Sequence, residues 1–550
     1  MAKKDELLKH HDREQFRKII ETYSMSNNRN QHSFGFYWTR KSVDLARTLI
    51  ENYTKSSEVI FDPFMGSGST ILGSIASNGN RLAIGVEINE LPIRNLQATT
   101  GMFDQTVAKE LKNLESAINE IRSLYAFEMS SGPLRINKII HDKPGDVLSP
   151  RIFKGILSNE KVEIDALTNK KLFGELSDLY FNRINQFPRR SSPVLEQNSR
   201  IAIKFGKKVS DMFGPIGFEA LSRFREFDPE SIAFKLILGS SIHLCRLTDL
   251  KSQSQFPYWF PKENISEKSV CEVLDKKLKE LTKIVAPSSS KLSYRTYERF
   301  DDWKAAPDNG MLLIHGSVID AEKFEIPDKS VDLVITDPPY FDQVAYSEYL
   351  KLWEYFTGFR SNLDGEIVES SRHGAGKTRE AFLNDLNFAF KRIRKLMKDD
   401  AVAFIYFKDS KPRNLHDFIS CLESSGLHYI FQVHLETASF TYKQNASPEN
   451  TVGGDSIMVF KAGEPKQPCT NSLSQITTRE NFEEIFLKYF GEYLRQNGAS
   501  TMTEALDNSL IASLYPTGYL KNITSSGYLG KVANRKFEFD EATRKWTFKV

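Results

Sequence analysis

The chain has 550 residues, of which 40% are hydrophobic and 26% are charged, and its formal net charge is +3. This composition is typical of a globular protein of two to four domains and excludes a disordered or fibrous chain. A small net charge means that any nucleic-acid surface must be a local patch. The four cysteines lie far apart without a C-x-x-C pair, which argues against a zinc ribbon and favours the reducing cytoplasm. The charged start is unlike a secretory signal, and no apolar run is long enough for a membrane helix.

The first hundred residues have the pattern of helices followed by a strand–helix–strand unit. Residues 1–25 form a charged helical pattern, and residues 42–53 have apolar residues at helical spacing. A strand at 58–61 leads into a glycine turn and a helix, and a second strand at 82–87 ends on an acid. This order predicts a doubly wound, Rossmann-like α/β sheet.

The β/α alternation stops between residues 101 and 310, where the pattern is mostly helical with a break at Gly132-Pro133. We therefore expect a long insertion into the sheet. The alternation returns with strands at 311–316 and 331–336 and continues to residue 462. Residues 465–550 contain two helices and a hairpin, which predict a small C-terminal α+β module of winged-helix-like type.

The loop after the first strand reads FDPFMGSGST and has the composition of a ligand-binding turn. Gly66 and Gly68 allow a sharp turn and a close approach of the backbone to a ligand. Thr70 opens the following helix, whose free amides favour a carboxylate, and Glu87 can accept hydrogen bonds from two ribose hydroxyls. A dinucleotide-binding loop would need a third glycine where this chain has Ile71.

A second motif follows the strand at 331–336 and combines Asp337, Pro338, Pro339 and Tyr340. Asp337 and the carbonyl of Pro338 can accept both N–H groups of an exocyclic amine. This favours pyramidal nitrogen and frees its lone pair for attack. The prolines fix the backbone, and Tyr340 together with Phe341 offers a stacking face for a flipped base. No metal is required, and no His or Cys cluster has metal-ligand spacing.

Together the two motifs resemble the signature elements of the amino-group DNA methyltransferases, which methylate adenine N6 or cytosine N4. The resemblance covers roughly residues 30–100 and 310–462 and implies S-adenosyl-L-methionine as the cofactor. It implies a cofactor site that includes Asp62, Pro63, Phe64, Gly66, Ser67, Gly68, Thr70 and Glu87.

Two further segments resemble parts of the same cofactor site. The resemblance of residues 32–41 implies that Thr39 and Lys41 help to bind the methionine end of the cofactor. Ser42 stands where the family usually has a proline. Residues 314–320 resemble the segment that contacts the cofactor's adenine through an aspartate. Here either Ser317 or Asp320 takes that role.

The resemblance implies double-stranded DNA as the partner, and in this family an interruption between the motifs commonly carries target recognition. Seven basic residues against one acid across 183–208 would neutralise several phosphates, although a solvated polar surface is the alternative. A stretch of amides and aromatics at 252–260 is a second candidate. Tyr346 and Trp353 either line the pocket or belong to a helix that packs on the sheet. The individual candidates for phosphate contact are Arg189, Arg190, Lys204, Lys207, Lys208, Arg372 and Lys377.

The sequence therefore predicts a cytoplasmic, site-specific adenine-N6 DNA methyltransferase of a restriction–modification or phage-defence system. The leading aspartate of the second motif favours adenine over cytosine. The alternatives are a cytosine-N4 enzyme, an RNA guanine-N2 methyltransferase and a catalytically inactive DNA-binding subunit. Whether a cognate restriction or defence-system subunit binds the chain stays open, as does its oligomeric state.

Overall fold

The structure is a computed structural model of the chain. It describes residues 13–21, 35, 37, 40–77, 79, 81–142, 148–195, 206–249, 265–285, 296–297, 299–305, 310–341, 346–370, 376–409, 411–435, 455–466, 478–525 and 527–549. Among these residues, no helix has the length and apolar character that crossing a membrane requires.

The strands form a large sheet, a second sheet within the insertion and a C-terminal hairpin. In chain order they are β1 Val59–Asp62, β2 Leu82–Glu87, β3 Ala126–Met129, β4 Gly132–His141, β5 Pro150–Leu157, β6 Glu160–Asp165, β7 Thr248–Asp249, β8 Ile265–Lys268, β9 Thr296–Tyr297, β10 Met311–His315, β11 Val331–Thr336, β12 Met397–Phe407, β13 Leu427–Leu435, β14 Asp455–Ala462, β15 Phe537–Asp540 and β16 Lys545–Phe548.

The helices flank these sheets. They are α1 Arg13–Glu21, α2 Val43–Tyr53, α3 Ser69–Ala76, α4 Glu90–Thr99, α5 Asp104–Arg122, α6 Lys170–Asn185, α7 Pro215–Phe227, α8 Ile232–Cys245, α9 Val270–Val285, α10 Phe300–Lys304, α11 Tyr346–Thr357, α12 Arg379–Leu396, α13 Pro412–Ser424, α14 Arg479–Asn497, α15 Met502–Ala505, α16 Ile511–Leu514 and α17 Tyr528–Ala533. A π-helical turn, Leu506–Leu510, joins α15 to α16.

The large sheet has the strand order β13-β14-β12-β11-β1-β2-β10-β9. All of its neighbouring pairs are parallel except those of β14, which runs antiparallel to β12 and β13. From β1 the chain places β2 and β10 on one side, and it places β11 and β12 on the other. The strand order therefore reverses between β1 and β11, and ligands of doubly wound sheets bind beyond the carboxyl ends of the strands at such a point.

The two central strands are apolar because helices cover both faces of a parallel sheet. Every residue of β1 and β11 is buried. Asp62 and Asp332 are the charged exceptions, and the Asp332 carboxylate accepts a 3.0 Å hydrogen bond from the Val59 amide. The same carboxylate lies 2.6 Å from the ammonium of Lys398 at the start of β12. Asp332 thus ties β11 to both of its neighbours.

The insertion contains a sheet that the mostly helical pattern did not predict. Its strands have the order β6-β5-β4-β8-β7, and β3 pairs with β4. The Gly132-Pro133 break is the start of β4, which follows a tight hairpin turn from β3. Register shifts within β4 interrupt the two-residue alternation by which a strand is recognised. The insertion shares one hydrophobic cluster with α4 and α11.

The C-terminal residues form helices followed by a hairpin, as predicted. They share a hydrophobic cluster with strands of the large sheet. The carboxylate of Asp507 accepts a 2.6 Å hydrogen bond from Gln432 and lies 2.9 Å from His434, both on β13. The module therefore packs against the outer edge of the large sheet.

Removing the Asp332 carboxylate tests how much this link between strands contributes. Asp332→Ala leaves the Val59 amide buried without an acceptor, so we expect a loss of about 1–3 kcal/mol of unfolding free energy. Thermal or urea unfolding measures it. Asp399→Ala is the control, because Asp399 pairs with Lys329 in an exposed ion pair and should leave the unfolding midpoint nearly unchanged. Equal effects of the two substitutions would contradict this account.

Candidate active site

A cleft of about 890 Å³, a volume that includes space open to solvent, lies at the carboxyl edge of the large sheet where the strand order reverses. It brings the two sequence motifs together. The predicted residues that line it are Lys41, Asp62, Pro63, Phe64, Gly66, Ser67, Thr70, Glu87, Ser317, Asp337 and Pro339. Thr39 lies outside the described residues.

The glycine loop has no room for side chains at two positions. Gly66 and Gly68 have φ values of +52° and +79°, in the left-handed region that favours glycine. A Cβ on Gly66 would lie 2.9 Å from the ring of Tyr37, and one on Gly68 would lie 2.7 Å from Leu96. Gly66 lines the cleft, whereas Gly68 forms the N-cap of α3 behind it.

Asp62 and Thr70 join the segment that contains the glycine loop to β11, the strand that leads into the second motif. The hydroxyl of Thr336, at the end of β11, donates a 2.7 Å hydrogen bond to Asp62, which is 274 positions away in the chain. Thr70 donates to the carbonyl of Ile335 at 3.2 Å. Burial raises the pKa of Asp62 to about 7, against the lowering effect of its hydrogen-bond donors.

Glu87 ends β2 with its carboxylate facing the glycine loop. One oxygen accepts a 2.9 Å hydrogen bond from the Gly66 amide, and the other accepts a 2.9 Å bond from the Asn89 amide. Burial raises the pKa of Glu87 to about 7, although both amides favour the charged form. Each oxygen keeps a lone pair for a further donor, so Glu87 can hold two hydroxyls of a ligand.

The Asp337 carboxylate lies between a phenol and an ammonium. The Tyr340 hydroxyl donates to one carboxylate oxygen, and Lys41 Nζ lies 3.3 Å from the other. Burial raises the pKa of Asp337, and Lys41 and Tyr340 oppose this shift. The Tyr340 hydroxyl also contacts the carbonyl of Tyr406 at 2.7 Å, which fixes the orientation of its ring.

Sequence reasoning missed Asp455, the first residue of β14. Its carboxylate lies 3.3 Å from Lys41 Nζ and 2.8 Å from Lys408 Nζ. Burial alone would lower the pKa of Lys41, but the carboxylates of Asp337 and Asp455 outweigh it and raise that pKa. Asp455 is 414 positions from Lys41, and no local pattern connects the two residues.

Three further residues that line the cleft are Tyr37, Tyr346 and Glu366. Tyr37 and Tyr346 stack with ring centroids 5.5 Å apart and planes 6° apart. The buried carboxylate of Glu366 accepts a 3.0 Å hydrogen bond from the Ser347 amide, and burial raises the pKa of Glu366 to about 8. Of the two residues whose role was open, Tyr346 lines the cleft, whereas Trp353 donates to the Gly239 carbonyl of the insertion.

Ser317 and Asp320 are separated by the structure. Ser317 is buried, lines the cleft and donates a 2.9 Å hydrogen bond to the carbonyl of Gly365. Asp320 is exposed and does not line the cleft. Of the two, Ser317 is therefore the one placed to contact a ligand.

Several residues expected to contact nucleic acid have other partners. Phe341 has a φ of +36°, is 1% exposed and packs against Phe382 in the core, so its ring cannot stack on a base. Arg190 is held by Glu219 at 2.7 Å and also contacts Glu226. Glu219 and Glu226 both belong to α7. Because their carboxylates bind the Arg190 guanidinium, few of its N–H donors remain for a phosphate.

Lys377 is also committed within the fold. It donates to the carbonyls of Asp364 and Glu366 at 3.1 and 2.7 Å and pairs with Asp385 at 3.1 Å. Arg189 and Lys208 are exposed, and Lys207 is half-buried. Lys204, Arg372 and the stretch at 252–260 lie outside the described residues.

Comparisons with known proteins support the resemblance to DNA methyltransferases. Residues 2–97 match the sequence model of a family described as DNA methylase. The chain is 22% identical to the Type II methyltransferase M.MjaII of Methanocaldococcus jannaschii over 430 residues, which are 72% of this chain and 75% of the relative. No solved structure matches. The resemblance to the amino-group DNA methyltransferases is confirmed by these matches.

The need for glycine at position 68 can be measured against a matched glycine. Gly68→Ala forces a side chain into a left-handed residue and against Leu96, so we expect it to reduce the free energy of unfolding by about 1–3 kcal/mol. Gly518 has a similar left-handed backbone, with no heavy atom within 4 Å of the position of a Cβ. Gly518→Ala should therefore cost only about 1 kcal/mol from backbone strain. A thermal unfolding midpoint that falls no further for Gly68→Ala than for Gly518→Ala would contradict the packing argument.

Proposed function

We propose that this chain, a relative of the amino-group DNA methyltransferases, transfers a methyl group from S-adenosyl-L-methionine to the N6 amino group of adenine in double-stranded DNA. One observation carries the proposal. The glycine loop and the Asp337 carboxylate line the same cleft although they lie far apart in the sequence. A donor held by the loop and an amine held by Asp337 would therefore meet in one place.

The cleft has the chemistry that S-adenosyl-L-methionine needs. Glu87 is placed for the ribose hydroxyls, Ser317 for the adenine edge, and the loop amides with Asp62 for the methionine end. Tyr406 adds a buried hydroxyl that finds no hydrogen-bond partner within the described part of the chain, so a ligand atom can satisfy it. When bound, the cofactor supplies an electrophilic methyl group on a positively charged sulfur.

Asp337 acts on the amine that receives the methyl group. Its carboxylate and the Pro338 carbonyl accept the two N–H bonds of the amino group, which withdraws the nitrogen lone pair from the ring of the base. Attack by that lone pair forms the N–C bond while the bond from the methyl carbon to sulfur breaks and its electron pair returns to the sulfur. The nitrogen must then lose one proton. The Asp337 carboxylate is the acceptor within reach, and a pKa raised by burial makes it more basic than an ordinary aspartate.

Lys41 and Asp455 keep the Asp337 carboxylate in place. The Lys41 ammonium lies 3.3 Å from each of the two carboxylates, so it is held on both sides. The positive charge stabilises the ionised form of Asp337, which a buried site would otherwise disfavour. We assign Lys41 and Asp455 as positioning residues.

Two departures from the family pattern are compatible with an active enzyme. Ser42, at the usual proline position, caps α2 by accepting a 3.2 Å hydrogen bond from the Leu45 amide. Ser317, at the usual aspartate position, lines the cleft. Both serines have structural partners, which argues against the inactive-subunit alternative. The choice of adenine over cytosine depends on the aspartate that leads the second motif.

A methyl-transfer assay tests the proposed function. The protein is incubated with methyl-labelled S-adenosyl-L-methionine and unmethylated genomic DNA, and the DNA is digested to nucleosides for mass spectrometry. We expect N6-methyldeoxyadenosine. N4-methyldeoxycytidine would overturn the base assignment, and a label found only in RNA would overturn the substrate. Sequencing of the methylated sites then tests the inferred role in restriction–modification or phage defence.

Asp337→Asn should separate catalysis from cofactor binding. The amide keeps the shape of the side chain but loses the charge that accepts the amine protons, so we expect methyl transfer to fall by about 10²–10³-fold. Cofactor affinity in calorimetry should stay within a few fold, because the loop and Glu87 are untouched. Asp400→Asn, at an exposed position, is the control. Wild-type transfer by Asp337→Asn would contradict the assignment.

The raised pKa of Glu87 predicts that cofactor binding depends on pH. Ribose hydroxyls donate to the carboxylate, so binding favours the ionised form and weakens as pH falls through about 7. Between pH 8 and pH 6 we expect about a tenfold loss of affinity from this one group. The measurement compares the cofactor affinity of wild type and Glu87→Gln by calorimetry at each pH. Ionisation of the ligand affects both proteins equally and therefore cancels in the comparison. Equal pH profiles for the two proteins would show that Glu87 does not bind the cofactor as a carboxylate.

A further inference from the structure

A row of three lysines crosses the insertion sheet on one face. Lys138 of β4 is the register partner of Lys154 on β5 and of Lys268 on β8. Partners on antiparallel strands point to the same side of a sheet, so the three side chains stand next to one another. We call these residues the lysine row.

Few carboxylates neutralise the positive charge of the lysine row. Lys154 pairs with Glu163 of β6 at 2.5 Å, at the outer end of the row. Within the described residues, neither Lys138 nor Lys268 has a carboxylate in ion-pair distance. The pKa of Lys138 is lowered, first by burial and then by Lys154 and Lys268. Like charges opposite one another destabilise a sheet, so an anion bound across the row would remove an unfavourable interaction.

Positive charge continues at the inner end of the row. Burial lowers the pKa of His243 to about 3, with a further contribution to this shift from the cations Lys277, Arg246, Arg40 and Lys268. Lys268 therefore belongs both to the row and to this group around His243. Lys277 has a carboxylate partner, Glu280, at 2.6 Å.

The inner end of the row lies near the cleft. The His243 ring stacks on Trp353 with centroids 6.4 Å apart. Trp353 is on α11, seven residues after Tyr346, which lines the cleft. Seven residues of helix span about 10 Å, so Trp353 lies about 10 Å along α11 from Tyr346.

We propose that Lys154, Lys138 and Lys268 bind the phosphate backbone of the DNA duplex whose base enters the cleft. This inference rests on the proposed function. The row spans two strand spacings, about 9–10 Å, over which one strand of B-DNA carries about three phosphates along the helix axis. The number of lysines is therefore close to the number of phosphates that one DNA strand presents over this length.

The row differs from the basic run at 183–208 that sequence patterns favour. Two arginines of that run are committed to the protein. Arg183 donates to the carbonyls of Ser123 and Leu124 at 3.0 and 3.1 Å, and Arg190 is held by Glu219. In the row, by contrast, the register partners of Lys138 are Lys154 and Lys268, and within the described residues neither Lys138 nor Lys268 forms an ion pair with a carboxylate.

The test is the salt dependence of DNA binding. Each phosphate contact contributes about 0.9 to the slope of log affinity against log salt concentration. The triple variant Lys138→Ala, Lys154→Ala, Lys268→Ala should lower that slope by about 2–3 in fluorescence anisotropy with a labelled 30-base-pair duplex. The control is Lys109→Ala, Lys112→Ala, Lys304→Ala, at three exposed helical positions, which should keep the wild-type slope.

The outcomes distinguish a failure of the lysine row from a failure of the proposed function. If wild type methylates DNA and the triple variant keeps the wild-type slope, the lysine row is overturned and the proposed function stands. If wild type neither binds nor methylates DNA, both are overturned. Binding that is weakened only for duplex RNA overturns the choice of partner. Should the triple variant fold poorly, Lys138→Gln alone is expected to lower the slope by about 1, and an unchanged slope overturns the inference.

Discussion

The hydrogen bond from Thr336 to Asp62 marks the contact on which the site depends. It joins the ends of β1 and β11, at the point where the strand order of the sheet reverses. The glycine loop follows β1 and the Asp337–Tyr340 motif follows β11, so pairing of these two strands sets the distance between the loop and the motif. Asp332 supports the same pairing at the other end of the strands, through the Val59 amide. Everything proposed about methyl transfer requires that these two strands lie side by side.

Burial is the dominant electrostatic influence on the cleft. It raises the pKa values of Asp62, Glu87, Asp337 and Glu366, which all line the cavity. Carboxylates in such a place need hydrogen-bond donors or cations. Lys41 supplies a cation beside Asp337, whereas the oxygens of Glu87 keep lone pairs that can accept hydrogen bonds from a ligand. The cleft is thus suited to a ligand whose hydroxyl and amino groups donate hydrogen bonds to these carboxylates.

The sequence predicted those parts of the site that are local in the chain. The glycine loop, Glu87 and the DPPY motif are contiguous segments at strand ends, and the structure places all of them at one cleft or directly beside it. Glu366 and Tyr406, which line the cleft, and Asp455, which contacts Lys41, were missed because only the packing of distant elements brings them to the site. The lysine row was missed for a similar reason, since cross-strand register is not visible before strands are paired. The prediction that Phe341 stacks on a flipped base was wrong, because a left-handed backbone turns its ring into the core.

Hydrogen–deuterium exchange with and without S-adenosyl-L-methionine is the measurement that tests the shared cleft most directly. The account predicts that the cofactor slows exchange in residues 62–70 and 87–89 and also in residues 316–318 and 337–340, with one common midpoint in a ligand titration. Protection limited to one half of the sheet, or two separate midpoints, would contradict a single site formed by both motifs.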